Sequence, residues 1–563
     1  MTTHSHLLSA TQTISGTSVV PGVAYAPAAW TRPRPEIPLE TASLAEDARE
    51  AEVDRFDQAS RAVAERLTGR AERVTGAAAE VLTATAALAR DRGWLRAASK
   101  LVRAGTPAPQ AAAAATGQFV TAFEKAGGLM AERVTDLNDI RDRVVAELLG
   151  LPEPGIPTPE SPVVLLADDL APADTALLDP DLVVALVTSL GGPTSHTAII
   201  ARQLGIPCVV AAHGLAEVRA GEAVLVDAGA GLVHRGVSEE EARPLVETDL
   251  RRREAIRSWR GPATTADGTR VQLLANVADG AAARKAAANQ AEGVGLFRTE
   301  LCFLKASTEP SVPEQTAIYR EVLEAFPGGK VVVRTLDAGS DKPLAFANFE
   351  HEDNPALGVR GVRLAAKDEQ MLVRQLDAVA AAAGEASTGE PPWVMAPMVS
   401  TLEEARRFGG LCRERGIVPG IMVEVPSVAL LAGRFLEHVD FLSIGTNDLA
   451  QYTMAADRLS PHLATFTDPW QPAVLTLIGL TARAGQAAGK PVGVCGEAAA
   501  DPDLACVLTG LGVTSLSMAT SAIPAVGARL AQVSMDQCRE AGRAVLDAGD
   551  ALQTRAVAAA ALG

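Results

Sequence analysis

The stretch Phe441-Leu-Ser-Ile-Gly-Thr-Asn-Asp-Leu-Ala-Gln-Tyr-Thr-Met-Ala-Ala-Asp-Arg458 sets the reading of the C-terminal half. A short apolar run reads as a strand and closes on Gly445. Polar residues Thr446, Asn447 and Asp448 follow at once, and a helical pattern comes after them. Working outward, further short apolar runs begin near Val271, Val294, Val331, Val394, Ile421, Val492 and Leu516, again separated by helical patterns. Eight strand–helix units after Gly261 fit a (β/α)8 TIM barrel, whose usual size is about 250 residues plus insertions. An open doubly wound sheet is the rival arrangement.

The strand ends carry side chains that a core does not need. The second run ends in Phe297-Arg298-Thr299-Glu300 and the third in Arg334-Thr-Leu-Asp337. The strand holding Met422-Val-Glu424-Val-Pro426 reads as the sixth, Gly445–Asp448 as the end of the seventh, and Val494-Cys495-Gly496-Glu497 as the end of the eighth, before a final short run near Leu516. One Arg or Glu at a strand end is ordinarily a salt bridge. Five such ends on the C-terminal face of one barrel argue for a site, because barrel enzymes keep their chemistry there. Glu424 and Asp448 suit a partial shell for Mg²⁺, which keeps its other positions for water and substrate oxygens. Arg298, Arg334 and Arg458 can clamp a phosphate, and Asn447 with nearby amides can hold a carboxylate. Cys495 at a strand mouth can deliver a proton, although a lone cysteine is usually a small buried apolar residue.

The N-terminal half is organised differently. Thr17–Ala28 reads as strand, Pro21–Gly22 turn, strand. From about Leu39 to Gly150 the composition shifts to Ala, Glu and Arg. Val53, Phe56, Val63 and Leu67 share a helical face there, as do Met130, Val134, Leu137, Val144 and Leu148. This block predicts an α-helical bundle interrupted near Gly105–Pro109. After the Pro-rich stretch Pro152–Pro162 the chain alternates strand and helix, predicting a compact α/β unit into which the helical block is inserted. Glu239–Trp259 reads as a connecting helix. Within the α/β unit, Gly191-Gly-Pro-Thr-Ser-His-Thr-Ala-Ile-Ile-Ala-Arg202 is a glycine turn entering a helix. Thr194 or Ser195 can cap that helix. His196 sits where unpaired amides and the helix dipole favour a phosphoryl group, and a neutral imidazole is a competent nucleophile toward phosphorus. The plainer reading is a histidine in a capping turn.

Bulk properties narrow the function. The chain has 563 residues, a formal net charge of −17 and 21% charged residues, which disfavours nucleic-acid binding because no surplus of Lys and Arg is there to neutralise phosphates. The first basic residue is Arg32 and no long apolar run precedes it, so the start does not read as a secretory signal. No run approaches the roughly 20 residues of a membrane span. Six scattered cysteines without a CxxC suggest reduced thiols, and a cytoplasmic location is expected.

Taken in order, these segments resemble Enzyme I of the bacterial phosphoenolpyruvate-dependent sugar phosphotransferase system. The resemblance is carried by the early Pro-Gly strand pair, Val134–Arg141, the Gly191–Arg202 turn, Glu292–Glu300, Val331–Lys342, Asn354–Arg363, Val394–Ser400, Gly420–Ser427, Phe441–Arg458 and Val494–Glu497. It implies that His196 is phosphorylated by phosphoenolpyruvate with Mg²⁺ and then passes the group to the carrier protein HPr. It further implies Thr175 as a hydroxyl partner of the imidazole, and Arg298, Arg334, Asn447, Asp448 and Arg458 as substrate contacts with Lys342 and Arg360 beside them. Glu424 and Asp448 fall on the metal positions and Cys495 on the proton donor. The expected organisation is a phosphohistidine α/β swivelling domain (residues 1–36 and 151–238), an inserted α-helical HPr-binding subdomain (37–150), a linker helix (239–260) and a barrel (261–563) that binds phosphoenolpyruvate and forms a homodimer. Pro193, Ser340 and Val425 depart from the family's commoner Arg, Gly and Thr without removing a reacting group. Rival readings are an ATP-dependent phosphoenolpyruvate synthase or dikinase, for whose nucleotide domain no stretch has room, a regulatory paralogue of the nitrogen branch, and a silent binding scaffold.

Overall fold

The computed structural model describes residues 12–32, 34–38, 42–72, 77–126, 133–157, 159–170, 178–193, 195–304, 306–339, 344, 346, 352–386 and 390–563. The chain forms two compact units that divide between Arg252 and Arg253.

In the first unit an eight-stranded sheet is built from β1 (Gln12–Ser15), β2 (Thr17–Val20), β3 (Val23–Trp30), β4 (Val163–Ala167), β5 (Val183–Thr188), β6 (Cys208–Val210), β7 (Ala223–Asp227) and β8 (Leu232–Arg235), in the order β1-β8-β7-β3-β4-β5-β6-β2. Strands β3 to β6 run parallel, and the flanking pairs are antiparallel. β4 is apolar throughout because both its faces are covered. Val164 and Leu166 pack with Ala24, Ala185 and Val226 on one side, and Leu165 and Ala167 with Leu186 and Ala201 on the other. Strands β1 and β8 are not evident in the sequence. Each is four residues long with only one or two fully buried positions, too short for a periodic signal.

The chain leaves the sheet at Trp30 and returns at Val163 in the neighbouring parallel strand. Between them lies a helical bundle of α1 (Arg49–Ala71), α2 (Ala77–Ala89), α3 (Arg92–Arg103), α4 (Ala108–Ala126) and α5 (Val134–Leu149). Val53, Phe56, Val63 and Leu67 are buried along one face of α1, and the Phe56 ring meets Trp94 of α3 at 5.3 Å. On α5 the buried face holds Leu137, Ile140, Val144 and Leu148, while Met130 lies outside the described residues. Gly150 ends α5 with φ +66°, the left-handed cap that glycine adopts without a Cβ clash. Helix α6 (His196–Leu204) follows the glycine turn, and α7 (Glu239–Ser258) carries the chain into the second unit.

The second unit is a closed barrel of eight parallel strands: β9 (Gln272–Val277), β10 (Gly293–Arg298), β11 (Lys330–Arg334), β12 (Trp393–Ala396), β13 (Val418–Val423), β14 (Phe441–Gly445), β15 (Val492–Cys495) and β16 (Ser515–Met518). All eight expected strands are present, and β16 pairs with β9 to close the ring. The expected ordinal numbers of three strand ends need correction. Glu424 follows the fifth strand, Gly445–Asp448 the sixth and Cys495 the seventh, because the run near Leu516 is itself the eighth. The largest core lies between strands and outer helices. A smaller one of Leu296, Val332, Met395, Met422, Phe441 and Cys495 fills the barrel interior, so the open space is left at the C-terminal strand ends. Among the described residues no helix is long and apolar enough to cross a membrane.

Candidate active site

A cavity of about 530 Å³ opens at the C-terminal ends of the barrel strands. Arg298, Arg334, Glu424, Asn447, Asp448, Arg458 and Cys495 all line it. These residues come from five different strand–helix junctions, and the barrel's closure is what brings them together.

Two walls of this cavity are locked by buried ion pairs. Arg334 donates through Nη2 to Glu300 Oε1 at 2.6 Å and lies 3.1 Å from Asp337 Oδ2. Burial works against its charge, but Asp337 and Glu300 outweigh that and hold the guanidinium above its ordinary range. Asp337 also accepts from Arg360 at 2.9 and 3.2 Å, and Arg360 reaches Asp448 Oδ1 at 3.2 Å. Arg360 does not line the cavity. It stands behind it, braced between two carboxylates, so it aims Asp448 from the rear. Arg458 lies 3.5 Å from the other Asp448 oxygen. Arg298 makes no ion pair among the described residues and is exposed at the end of β10, leaving its donors open to a ligand. Arg334 Nε and Glu300 Oε2, by contrast, are buried without a hydrogen-bond partner. An orphaned buried donor and acceptor of this kind call for a bound group or water.

Glu424 follows β13 and is 1% exposed. Its Oε2 accepts from the Met398 amide at 2.8 Å. A Cβ on Gly445 would stand 2.8 Å from Glu424 Cγ, so only glycine lets the carboxylate pass there. Burial pushes the Glu424 carboxyl up to about 8, with Asp448 and Asp337 adding to the rise and Arg334 opposing it. The cavity wall holds five carboxylates (Glu300, Asp337, Glu424, Asp448, Glu497) against three arginines (Arg298, Arg334, Arg458). An anionic ligand alone would meet excess negative charge in that space. A hard divalent cation on Glu424 and Asp448 would relieve it, so the donor set fits Mg²⁺ with water and ligand oxygens completing the shell. Among the described residues no group of three carboxylate, histidine or cysteine side chains is arranged to hold a metal by itself.

Cys495 ends β15 and is 2% exposed. Its thiol donates to the Ile444 carbonyl at 3.4 Å and accepts from Ser443 Oγ at 3.5 Å. Burial pushes the thiol up to about 11, the Ser443 hydrogen bond partly offsetting it. A thiol in that condition keeps its proton at neutral pH and is suited to donate it.

The phosphohistidine candidate belongs to the first unit. His196 is the first residue of α6. Ser195 is its N-cap, with Oγ accepting from the Ala198 amide at 3.3 Å. Gly191 takes φ +88°, which turns the chain into the helix. The turn is braced by contacts that spacing does not reveal. Thr197 Oγ1 donates to Asp169 at 3.0 Å, Ser189 Oγ to Asp168 at 2.6 Å, and Arg202 to the Pro193 carbonyl at 2.7 Å. Thr175 and Lys342 lie outside the described residues. Sequence reasoning passed over Glu300 and Asp337 as functional residues. Both stand in quoted strand-end motifs, and their adjacency to Thr299 and three-residue spacing from Arg334 are the only signals available.

A barrel whose mouth is built for a phosphorylated anion, on the same chain as an α/β unit with a histidine at a helix start, defines the class of phosphoenolpyruvate-utilising enzymes. Three family descriptions match in order: "PEP-utilising enzyme, N-terminal" over residues 15–133, "mobile domain" over 159–231 and "PEP-binding domain" over 252–535. Proteins named phosphoenolpyruvate-protein phosphotransferase are similar across most of the chain. One from Streptomyces coelicolor is 48% identical over 92% of this chain and 93% of its own. Another from Haloferax volcanii is 39% identical over 95% and 97%, and one from Staphylococcus carnosus 39% identical over 75% and 77%. The chain belongs to the phosphoenolpyruvate-protein phosphotransferase family, Enzyme I. It is a transferase working by phosphoenolpyruvate-dependent phosphotransfer.

Proposed function

We propose that this enzyme moves the phosphoryl group of phosphoenolpyruvate onto His196, releases pyruvate, and then transfers the group to a histidine of the carrier protein HPr, the first general step of sugar uptake by the phosphotransferase system. The observation that carries the reading is the cavity at the barrel mouth, where three arginines, two metal-compatible carboxylates, an amide side chain and a protonated thiol face one space. Arg298 and Arg458 bind and orient the phosphate, while Arg334, fixed by Glu300 and Asp337, offers its remaining donors to the charge that spreads over the transferring group. Asn447 holds the carboxylate end. When bound at Glu424 and Asp448, Mg²⁺ supplies positive charge to the substrate oxygens.

His196 attacks phosphorus as the neutral imidazole, forming an N–P bond as the bond from phosphorus to the enol oxygen breaks. The electron pair left on that oxygen makes an enolate, and Cys495 protonates its terminal carbon to give pyruvate. The thiolate regains a proton from solvent. The second transfer reverses the roles, with the carrier histidine attacking the same phosphorus. One imidazole must therefore serve two partners in turn, so the α/β unit is proposed to swivel on its linkers, a domain motion on the μs–ms scale. Thr175 as partner of the imidazole, Lys342 and Arg360 beside the substrate, homodimerisation through the barrel, and a cytoplasmic setting complete the reading.

The deciding experiment is mass mapping of the labelled residue after treatment with phosphoenolpyruvate and Mg²⁺. Label on His196 and none in His196→Ala is the expected result. Acid-labile phosphate in the alanine variant would sink the proposal, and robust labelling of the wild type by ATP alone would shift it to the dikinase class.

A further inference from the structure

Behind the cavity, between barrel strands and outer helices, runs a buried chain of hydrogen bonds that an apolar core does not need. The core it crosses includes Phe297, Val322, Val333 and Val379. Gln375 stands in the helix Glu369–Ala386 and is 2% exposed. Its Oε1 accepts from the Leu336 amide at 2.9 Å, and its Nε2 donates to Thr299 Oγ1 and to the Tyr319 hydroxyl oxygen, each at 3.1 Å. Thr299 Oγ1 in turn donates to the Arg334 carbonyl at 2.8 Å. Tyr319, in the helix Val312–Glu324, donates to Gln315 Oε1 at 2.9 Å, and Gln315 Nε2 to the Pro310 carbonyl at 2.8 Å. These bonds fix their own direction. Both Gln375 amide hydrogens go to hydroxyl oxygens, so the hydroxyl hydrogens of Thr299 and Tyr319 point onward to Arg334 and Gln315. Turning the Gln375 amide over would set its NH2 against the Leu336 N–H, donor facing donor.

The two backbone segments that Gln375 joins carry the charged wall of the cavity. Thr299 lies between Arg298 and Glu300, and Leu336 between Arg334 and Asp337, and those four charged residues line the cavity. Gln375 itself does not line it. The ladder between β10 and β11 ends at the Arg298–Arg334 pair. Beyond it, the Gln375 bonds tie both segments to one outer helix. The Tyr319 ring adds an edge-on contact to Phe297, just before Arg298, with centroids 5.8 Å apart. Burying this many polar groups is tolerable because each has its partner, and removing one member strands the rest.

We infer that Gln375 is a positioning residue for the phosphotransfer: through Thr299 and Leu336 it sets the spacing of Arg298, Glu300, Arg334 and Asp337, and Tyr319 fixes its orientation. The inference rests on the roles proposed above for Arg298 and Arg334, and adds the device that holds them in register. Charge spreading over a phosphoryl group in flight is met by donors set in advance, whereas ground-state binding tolerates some adjustment.

The test is single-turnover pyruvate release by the full-length chain with phosphoenolpyruvate and Mg²⁺, run well below the unfolding transition of each variant. Gln375→Leu is expected to lower the maximal rate about 10–100-fold, while the half-saturating phosphoenolpyruvate concentration stays within about threefold of wild type. Thr299→Val should move the rate the same way, and Thr299→Ser, which keeps the hydroxyl, should restore it. A role in packing alone would lower the barrel's unfolding temperature and leave both kinetic values in place, and that result overturns the inference. So does a Thr299→Ser variant as slow as Thr299→Val. If Gln375→Leu does not fold, Tyr319→Phe decides, with a loss of about three- to tenfold expected and an unchanged rate overturning. Arg298→Ala and Arg334→Ala in the same assay separate this inference from the reading beneath it. If both keep the wild-type rate, the site reading falls and takes the inference with it. If both are slow and Gln375→Leu is not, the inference alone falls.

Discussion

The barrel mouth and the turn before α6 hold charge in opposite ways. At the mouth, Arg334, Asp337, Arg360 and Asp448 are each 7% exposed or less, and ion pairs connect them in a chain. At the turn, His196 opens a nine-residue helix, with Leu190 60% exposed just before it and Ile199 45% exposed one turn on. Stabilising a phosphoryl group in flight needs charges fixed in a dry pocket, and burying them is tolerable only because each is paired. The proposed nucleophile, which would meet two partners in turn, calls for the reverse, a turn held by a cap and a few hydrogen bonds. The difference teaches that buried charges locked by ion pairs and a histidine-bearing turn held by a cap are divided between two units of one chain.

That division can be broken by experiment. The largest expected effect is Cys495→Ala. Removing the proposed proton donor should lower the rate of pyruvate release by about 10²–10⁴-fold while calorimetry shows phosphoenolpyruvate binding retained. A nearly unchanged rate would remove the thiol from the mechanism.

Next is Asp337→Ala, which strips a shared carboxylate from Arg334 and Arg360 and leaves both guanidiniums buried. The barrel unit should lose about 3–5 kcal/mol of stability. In calorimetry its unfolding transition should move while that of the first unit stays in place. Equal shifts in both transitions would mean that the two units do not unfold separately.

A smaller effect concerns pH. On the proposed metal site Mg²⁺ would require the carboxylate form of Glu424, whose acid form persists up to about 8 in the free enzyme. Metal affinity without substrate should therefore rise with pH, by about tenfold per unit, and level off above that value. A flat titration between pH 6 and 8 would place the metal elsewhere. Over the same range the Cys495 thiol, pushed up to about 11, stays protonated, so its donor role adds no alkaline limb there.

The smallest change is Ser195→Ala, which removes the α6 cap and should cost about 1 kcal/mol. Thermal unfolding of the first unit reads it directly. A loss as large as that of Asp337→Ala would contradict the lightly held turn described here.

The eight barrel strands were legible because each is a short apolar run set off by glycine and polar residues, and the strand ends announced themselves by charged side chains where a core has no use for them. The bracing around those ends was not legible. Arg334 and Glu300 are paired across neighbouring strands, and Arg360 reaches Asp448 across the mouth. Sequence spacing carries no record of either contact. Strand order was misnumbered by one, because a run as short as Ser515–Met518 reads equally well as a tail or as the closing strand until it is seen hydrogen-bonded to β9. Asp169 beneath Thr197 was missed for the same reason as Glu300.

Local pattern by itself determined the chain's alternation of strand and helix, its helical block and the positions of its candidate site residues, since periodicity and turn chemistry act over a few residues. The tertiary structure decided which of those side chains share a cavity, which cations are left open, and how far burial shifts a carboxyl or a thiol. Those properties depend on distances through space and on the loss of water, and neither exists until the barrel closes.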